Sequence, residues 1–207
     1  MKVHRLVVGK LQENTYILEE DGQALIVDPG DEFDRIKEKI EELGLEPLAI
    51  LLTHTHHDHI GELDSVRDFY SIEAYVHPNE KDWLGDDHKN LSFYVDNAFE
   101  RRDAEHEFEA DKTYTFGSFN LKVVETPGHS PGGVSFIFEE ENVVISGDAL
   151  FKESIGRTDL PGSDPSIIIE GIHKKLFTQP DHFKVYPGHG SETTIGHEKE
   201  HNPYCHI

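Results

Sequence analysis

Apolar and polar residues alternate in short bursts along the chain, and the period of the bursts changes in a fixed order. Val3 to Gly9, Asn14 to Leu18 and Ala24 to Val27 read as strands joined by short connections, an antiparallel start. The third closes on Asp28-Pro29-Gly30, a turn signal. Apolar residues at 33, 36, 40 and 43 mark a helical stripe over Phe33 to Leu43, and Gly44 is placed to cap it. Leu48-Ala49-Ile50-Leu51-Leu52 is apolar throughout, the pattern of a strand buried on both faces. It runs directly into Thr53-His54-Thr55-His56-His57-Asp58-His59. Ile60 to Tyr70 predicts a helix and Ala74 to Val76 a short strand closed by His77-Pro78. Residues 79 to 112 are strongly polar. One or two short helices are expected there, anchored by Trp83, Leu84, Phe93 and Phe99.

The second half repeats the theme. Thr113 to Phe116 and Asn120 to Glu125 predict a hairpin around Gly117-Ser118, followed by the tight loop Thr126-Pro127-Gly128-His129-Ser130-Pro131-Gly132-Gly133. Val134 to Phe138 and Val143 to Ser146 read as strands, the latter ending at Gly147-Asp148. Pro165 to Phe177 predicts a helix with Asp164 or Ser163 as its N-cap, and Lys184-Val185-Tyr186 a last strand before Pro187-Gly188-His189-Gly190. Each half thus has an antiparallel start, a buried strand and a helix. A sandwich of two sheets with helices on the outer faces accommodates this order, within a single domain spanning 1–207.

Composition narrows the partners. With 36% hydrophobic residues, 12 Phe and 7 Tyr, the chain can bury a core, so disorder is not expected. The formal charge of −22 opposes a nucleic-acid groove and an anionic membrane surface. The N-terminal apolar stretch is too short for a signal peptide, and no run approaches the roughly 20 residues of a membrane span. The single cysteine, Cys205, fits a reducing cytoplasm. The unusual count is histidine, at 15.

Four places combine an apolar strand, an abrupt loop and a metal-type residue: the 54–59 segment, His129, Asp148 and His189. Strand ends at one sheet edge converge, so His54, His56, Asp58, His59, His129, Asp148 and His189 become candidate ligands for two metal ions. His54 and His56 are two apart, and an extended backbone points both the same way. Asp58 and His59 follow the turn and suit a second, adjacent ion. Asp148 has two oxygens and can bridge, with His129 and His189 completing one ion each. The remaining histidines carry blander expectations. His4, His88, His106, His182, His201 and His206 read as solvated or weakly packed, His77 as structural, and His173 as a helix residue. His57 has the wrong parity to join the His54/His56 face.

On these residues the chain resembles the metallo-β-lactamase superfamily. The motif His54-Thr55-His56-His57-Asp58-His59 matches its signature. His129 in Pro-Gly-His-Ser-Pro-Gly, Asp148 in Ser-Gly-Asp-Ala-Leu-Phe and His189 in Pro-Gly-His-Gly match its later motifs in order. Asn14-Thr15-Tyr16 and Asp28-Pro29-Gly30 extend the likeness over nearly the whole chain. The resemblance implies an α/β fold, an αβ/βα four-layer sandwich of two mixed sheets packed face to face, with a metal pair at one edge. It implies His54, His56 and His129 on the first metal, Asp58, His59 and His189 on the second, and Asp148 between them.

Within the superfamily the chain is most similar to short bacterial hydrolases of the glyoxalase II type, through Ser154 to Gly162 and Glu192-Thr193-Thr194-Ile195-Gly196. That likeness implies hydrolysis of a small-molecule thioester, S-lactoylglutathione or a related thiol conjugate, by a hydroxide bridging two divalent ions and oriented by Asp58. Zinc is the default for a His-rich site, with iron or manganese as alternatives. The chain departs from full-length glyoxalase II in reading without its basic C-terminal helical extension. It also carries Arg157-Thr158-Asp159 in place of a Lys-containing loop. Arg157 is a candidate substrate contact, with an ion pair to Asp159 as the competing role. Three rivals remain: an iron-dependent persulfide dioxygenase sharing all seven ligands, with one iron on His54, His129 and Asp148; a nuclease, opposed by the charge; and a non-catalytic metal-binding protein.

Overall fold

A computed structural model describes residues 1–96 and 98–205. The chain gathers into two compact units, Met1–Phe108 with Thr115–Phe119, and Glu109–Tyr114 with the residues from Asn120 onward. Among the described residues no helix is long and apolar enough to cross a membrane.

The first unit carries a six-stranded mixed sheet, in spatial order β1 (Lys2–Val8), β2 (Glu13–Glu20), β3 (Gln23–Val27), β4 (Glu46–Leu51), β5 (Glu73–Val76) and β6 (His106–Glu107). β1, β2 and β3 are antiparallel, and β3, β4, β5 and β6 run parallel. Helix α1 (Phe33–Leu43) connects β3 to β4 and buries Ile36 and Ile40. It stops at Gly44, whose φ of 64° is the left-handed conformation that glycine adopts without a Cβ penalty. One sheet face, with Ile17, Ala24, Ile26, Ile50 and Ala74, packs with Ile36 and Ile40 of α1 and with Leu63 and Val66 of α3 (Leu63–Tyr70). Each fully buried Ile or Leu contributes roughly 1.5–3 kcal/mol. The alternate positions Tyr16, Leu18, Leu25, Val27 and Leu51 are buried as well, as the apolar run before His54 requires.

The second sheet is also six-stranded and mixed. Its members are β7 (Thr113–Phe116), β8 (Phe119–Glu125), β9 (Val134–Phe138), β10 (Val143–Gly147), β13 (Lys184–Pro187) and β14 (Thr193–Thr194), in the order β14-β13-β10-β9-β8-β7. A small hairpin, β11 (Leu150–Phe151) with β12 (Ser154–Ile155), follows β10. Helix α4 (Pro165–Gly171) starts at Asp164, whose carboxylate accepts from the backbone N–H groups of Ser166 and Ile167. It continues as one wider turn over Ile172–Leu176. Ile168, Ile172 and Leu176 pack on Val124, Ile137, Val144 and Val185 of the sheet, with Ile195 of α5 (Ile195–His201) and Cys205 closing the cluster.

Two expectations are corrected, and one helix goes unpredicted. The helix predicted over Ile60 to Tyr70 is two helices, α2 (His57–Ile60) and α3. The break has a local cause. The Arg101 guanidinium takes the carbonyls of Ile60 and Gly61, and the Glu62 N–H donates to the Pro29 carbonyl at 2.9 Å. Those groups are then committed outside the helical ladder. Phe93 is no anchor: it is exposed and stacks on His88 at 4.0 Å between ring centroids. The C-terminal helix α5 has almost no apolar stripe. It is held by buried Glu198, which accepts from Thr193 Oγ1 and, on its other oxygen, from Glu153 N and Asn202 Nδ2.

Candidate metal centre

In the first unit the candidate residues leave the C-terminal ends of parallel strands. β3 ends at Asp28 and β4 runs into Thr53 and His54, with Val27 opposite Leu51. That register sets the Asp28 carboxylate beside the histidine segment. Asp28 accepts from Thr53 N at 2.7 Å through one oxygen, and meets Thr53 Oγ1 at 2.6 Å and His59 Nδ1 at 2.9 Å through the other. Thr53 Oγ1 also lies 3.1 Å from His54 Nδ1. The rings of His54 and His56 sit 4.7 Å apart and perpendicular, and those of His54 and His59 are 4.1 Å apart. All three are buried. His56 keeps an extended backbone (φ −65°, ψ 148°) at the entrance to α2, so it and His54 project from the same side as the two-residue spacing predicts. Asp58 opens α2 on a partly exposed face, and its Oδ2 is 3.8 Å from His59 Nε2.

Buried carboxylates brace this segment. Glu80 accepts from both the N–H and the hydroxyl of Thr55, at 2.7 and 2.9 Å. Glu13 lies 3.7 Å from His59 Nδ1 and 2.8 Å from Thr15 Oγ1, and burial pushes its carboxyl well above the ordinary range. Burial pushes the half-buried His57 imidazole below its ordinary pKa. The backbones of Gly30 and Gly61 meet so closely that a Cβ on Gly30 would strike the Asp58 carbonyl.

In the second unit β8 and β10 both pair antiparallel with β9, and β10 pairs parallel with β13. The C-terminal ends of β8, β10 and β13 therefore share one edge, and His129, Asp148 and His189 follow those ends. Asp148 Oδ2 is 3.3 Å from His129 Nε2 and 3.6 Å from His189 Nε2. His129 Nδ1 is held at 2.9 Å by the Arg157 carbonyl. A Cβ on Gly156 would strike the Asp148 carbonyl, so glycine is required there too.

Each unit thus holds ligand-type side chains in an ordered way. Of the imidazoles, His54, His59 and His129 have their Nδ1 engaged by a hydroxyl, a carboxylate and a carbonyl. That is how proteins fix the tautomer of histidines that bind a metal through the other nitrogen. A donor set of imidazoles and carboxylates suits zinc, iron or manganese. Asp28, seen in the sequence only as part of a turn, is the positioning residue that pattern reasoning misses. The signal was a carboxylate ending the strand parallel to the one that carries His54.

The other sequence expectations separate cleanly. Arg157 is exposed and forms a two-point ion pair with Asp159, at 2.7 and 2.9 Å. His77 is buried, and its Nδ1 caps the turn at Asn79. His88, His182 and His201 are exposed, whereas His4, His106 and His173 are partly buried. His206 lies outside the described residues.

The family model of the metallo-β-lactamase superfamily matches residues 8–189. The chain is 47% identical over 205 residues to the probable metallo-hydrolase YqgX of Bacillus subtilis, covering 99% of this chain and 97% of that protein. It is 36% identical over 215 residues to the hydroxyacylglutathione hydrolase GloC of Haemophilus influenzae, covering 99% and 98%. Its fold superposes on the crystal structure of the B3 metallo-β-lactamase BLEG-1 with a TM-score of 0.95 and 42% identity, over 99% of each chain. With the motifs on ordered strand ends, two mixed sheets flanked by helices and these matches along its length, the chain belongs to the metallo-β-lactamase superfamily.

Proposed function

We propose that the protein is a metal-dependent hydrolase that cleaves a thioester, its two divalent ions held by His54, His56, Asp58, His59, His129, Asp148 and His189. The observation that carries this reading is the orientation of the imidazoles: Thr53, Asp28 and Arg157 each fix the Nδ1 side of a ring. Holding neutral imidazoles this way is costly to build into a buried site and is what metal ligation uses.

Bound divalent ions supply Lewis acidity, lowering the pKa of coordinated water to about 7 in zinc enzymes. The rest is done by the chain. Asp58 borders a cavity and accepts a hydrogen bond from the attacking water, aiming its lone pair at the thioester carbon. Asp148, with one oxygen facing His129 and His189, fixes the spacing of the ligands around the reacting atoms. A thiolate leaves without a general acid, so no further proton donor is required. Arg157 is spent on Asp159 in this structure; it serves an anionic substrate only by exchanging that partner.

Zinc is the proposed metal. The similarity to GloC supports a thioester over other acyl groups, and the similarity to BLEG-1 makes β-lactams the first comparison substrate. The test is a hydrolysis screen of metal-loaded protein with S-lactoylglutathione, simple acyl thioesters and β-lactams, alongside elemental analysis and an oxygen electrode with glutathione persulfide. Thioester turnover abolished by chelation and restored by zinc supports the reading. Turnover of β-lactams alone, or persulfide-dependent oxygen uptake with iron bound, overturns it.

A further inference from the structure

A feature that the ligand set leaves unexplained is a cavity of about 600 Å³ in the first unit, with Asp58 and His57 in its wall. That volume is within the range of small-ligand pockets and exceeds what a lactoyl group fills. Its apolar lining comes from Val8, Leu11, Tyr94, Val95 and Phe99. Leu11 and Tyr94 are left 54% and 69% exposed, although nothing in the packing of the sheet requires apolar residues there.

The charged lining is lopsided. Apart from Asp58, which is assigned above to a metal ion, Asp31, Glu62 and Asp96 line it together with two cations, Lys10 and Arg101. Arg101 is already committed: its guanidinium donates to the carbonyls of Ile60, Gly61 and Glu100 and stacks on Phe99 at 3.8 Å. Only Lys10, on the exposed loop after β1, remains to meet a carboxylate. An acidic wall with an apolar floor repels an anionic tripeptide and accepts a hydrocarbon.

We infer that this cavity seats an aliphatic, uncharged arm of the substrate. Calling the occupant a substrate rests on the thioester reading above. The inference narrows the substrate from any thiol conjugate to one whose acyl or thiol side is apolar and carries no carboxylate. S-lactoylglutathione, with a short polar acyl group and a net negative carrier, then becomes a poor member of the class.

Thioethers test the cavity without turnover. Binding of S-alkyl-N-acetylcysteamines to the metal-loaded protein, read by calorimetry, is expected to tighten about three- to fourfold per methylene from ethyl to hexyl. S-hexylglutathione is expected to bind about tenfold more weakly than its uncharged counterpart, through like-charge repulsion. Leu11→Ser and Tyr94→Ala, both at exposed positions, should flatten the chain-length slope while leaving the circular dichroism spectrum intact. The matching thioesters, lengthened first on the acyl side and then on the thiol side, report in kcat/KM which arm enters. Affinity independent of chain length, an unchanged slope in both variants, or preference for the glutathione ligand overturns the inference. So does a kcat/KM indifferent to the length of both arms. A clear slope in thioether binding without hydrolysis of any thioester leaves the cavity assignment standing and removes the hydrolase reading instead.

Discussion

Asp28 shows how much a single side chain decides. Its carboxylate fixes Thr53 and His59 at once, and Thr53 in turn touches His54. Asp28→Ala should weaken metal affinity by about 10- to 100-fold, the usual cost of losing such an orienting partner. Competition with a chromogenic chelator measures this, and unchanged affinity would mean that Asp28 only shapes the turn. Cys205 makes a separate prediction. It is buried, and its thiol is pushed up to about 11 by burial and by Glu198. Thiolate is the reactive form, so Ellman's reagent at pH 8 should label the native protein very slowly and the denatured protein at once. Rapid labelling of native protein would show that the C-terminal segment opens.

The candidate ligands stand out in the sequence because they follow apolar strands directly or lie in short Pro-Gly loops, where a polar residue has no packing role. Asp28, Glu13 and Glu80 do not. Glu13 opens a strand, Asp28 follows one and Glu80 lies in a short helix within a polar stretch, and each has its partner 25 or more residues away. Only the parallel pairing of β3 with β4 brings Asp28 to the histidines.

At the scale of elements, α2 is the sensitive part. It is one turn long, too short to hold itself, and it carries Asp58 and His59. Its placement comes from outside: Arg101 at its C-terminal carbonyls, and Gly30 against the Asp58 backbone. Gly30→Ala should therefore cost about 1–3 kcal/mol or more through overpacking and loosen metal binding with it. Gly85→Ala, where a Cβ meets only the Arg101 carbonyl at 3.9 Å, is the control and should change neither. Thermal melts with and without added metal distinguish the two. A Gly30→Ala protein with wild-type melting and metal content would mean that the backbone relaxes freely there. The same element marks the limit of periodicity. The apolar stripe ran on from Ile60 to Tyr70, and nothing in it revealed that Arg101, some forty residues away, captures the carbonyls at the break. Helix α1 was legible to the residue because stripe and Gly44 cap agree; α5 was illegible because a buried glutamate holds it.

At the scale of the whole chain, the charge of −22 and the set of histidines oppose each other as pH falls. Around neutrality the excess carboxylates repel one another, so added salt should raise the melting temperature of the metal-free protein. Acidification relieves that repulsion but protonates the imidazoles, near 6.5 for ordinary histidine, and expels the metal. His57 adds to the loss. Its folded pKa lies below the unfolded value, so the stability it contributes is present above about 6.5 and falls as pH drops toward the folded value. The holoprotein should accordingly lose metal and melting temperature together below about pH 6.5, while the metal-free protein changes much less. A holoprotein that keeps full occupancy at pH 4 would contradict a histidine-dominated site.

If these imidazoles and carboxylates cage two ions, a count of bound metal per chain reveals it. Elemental analysis of purified protein, reloaded with zinc and freed of excess by dialysis, should give about two ions per chain for the wild type. For Asp148→Ala, checked by circular dichroism to be folded, it should give one or none. Wild-type protein that retains no metal, or an Asp148→Ala protein that retains as much as the wild type, would contradict the account.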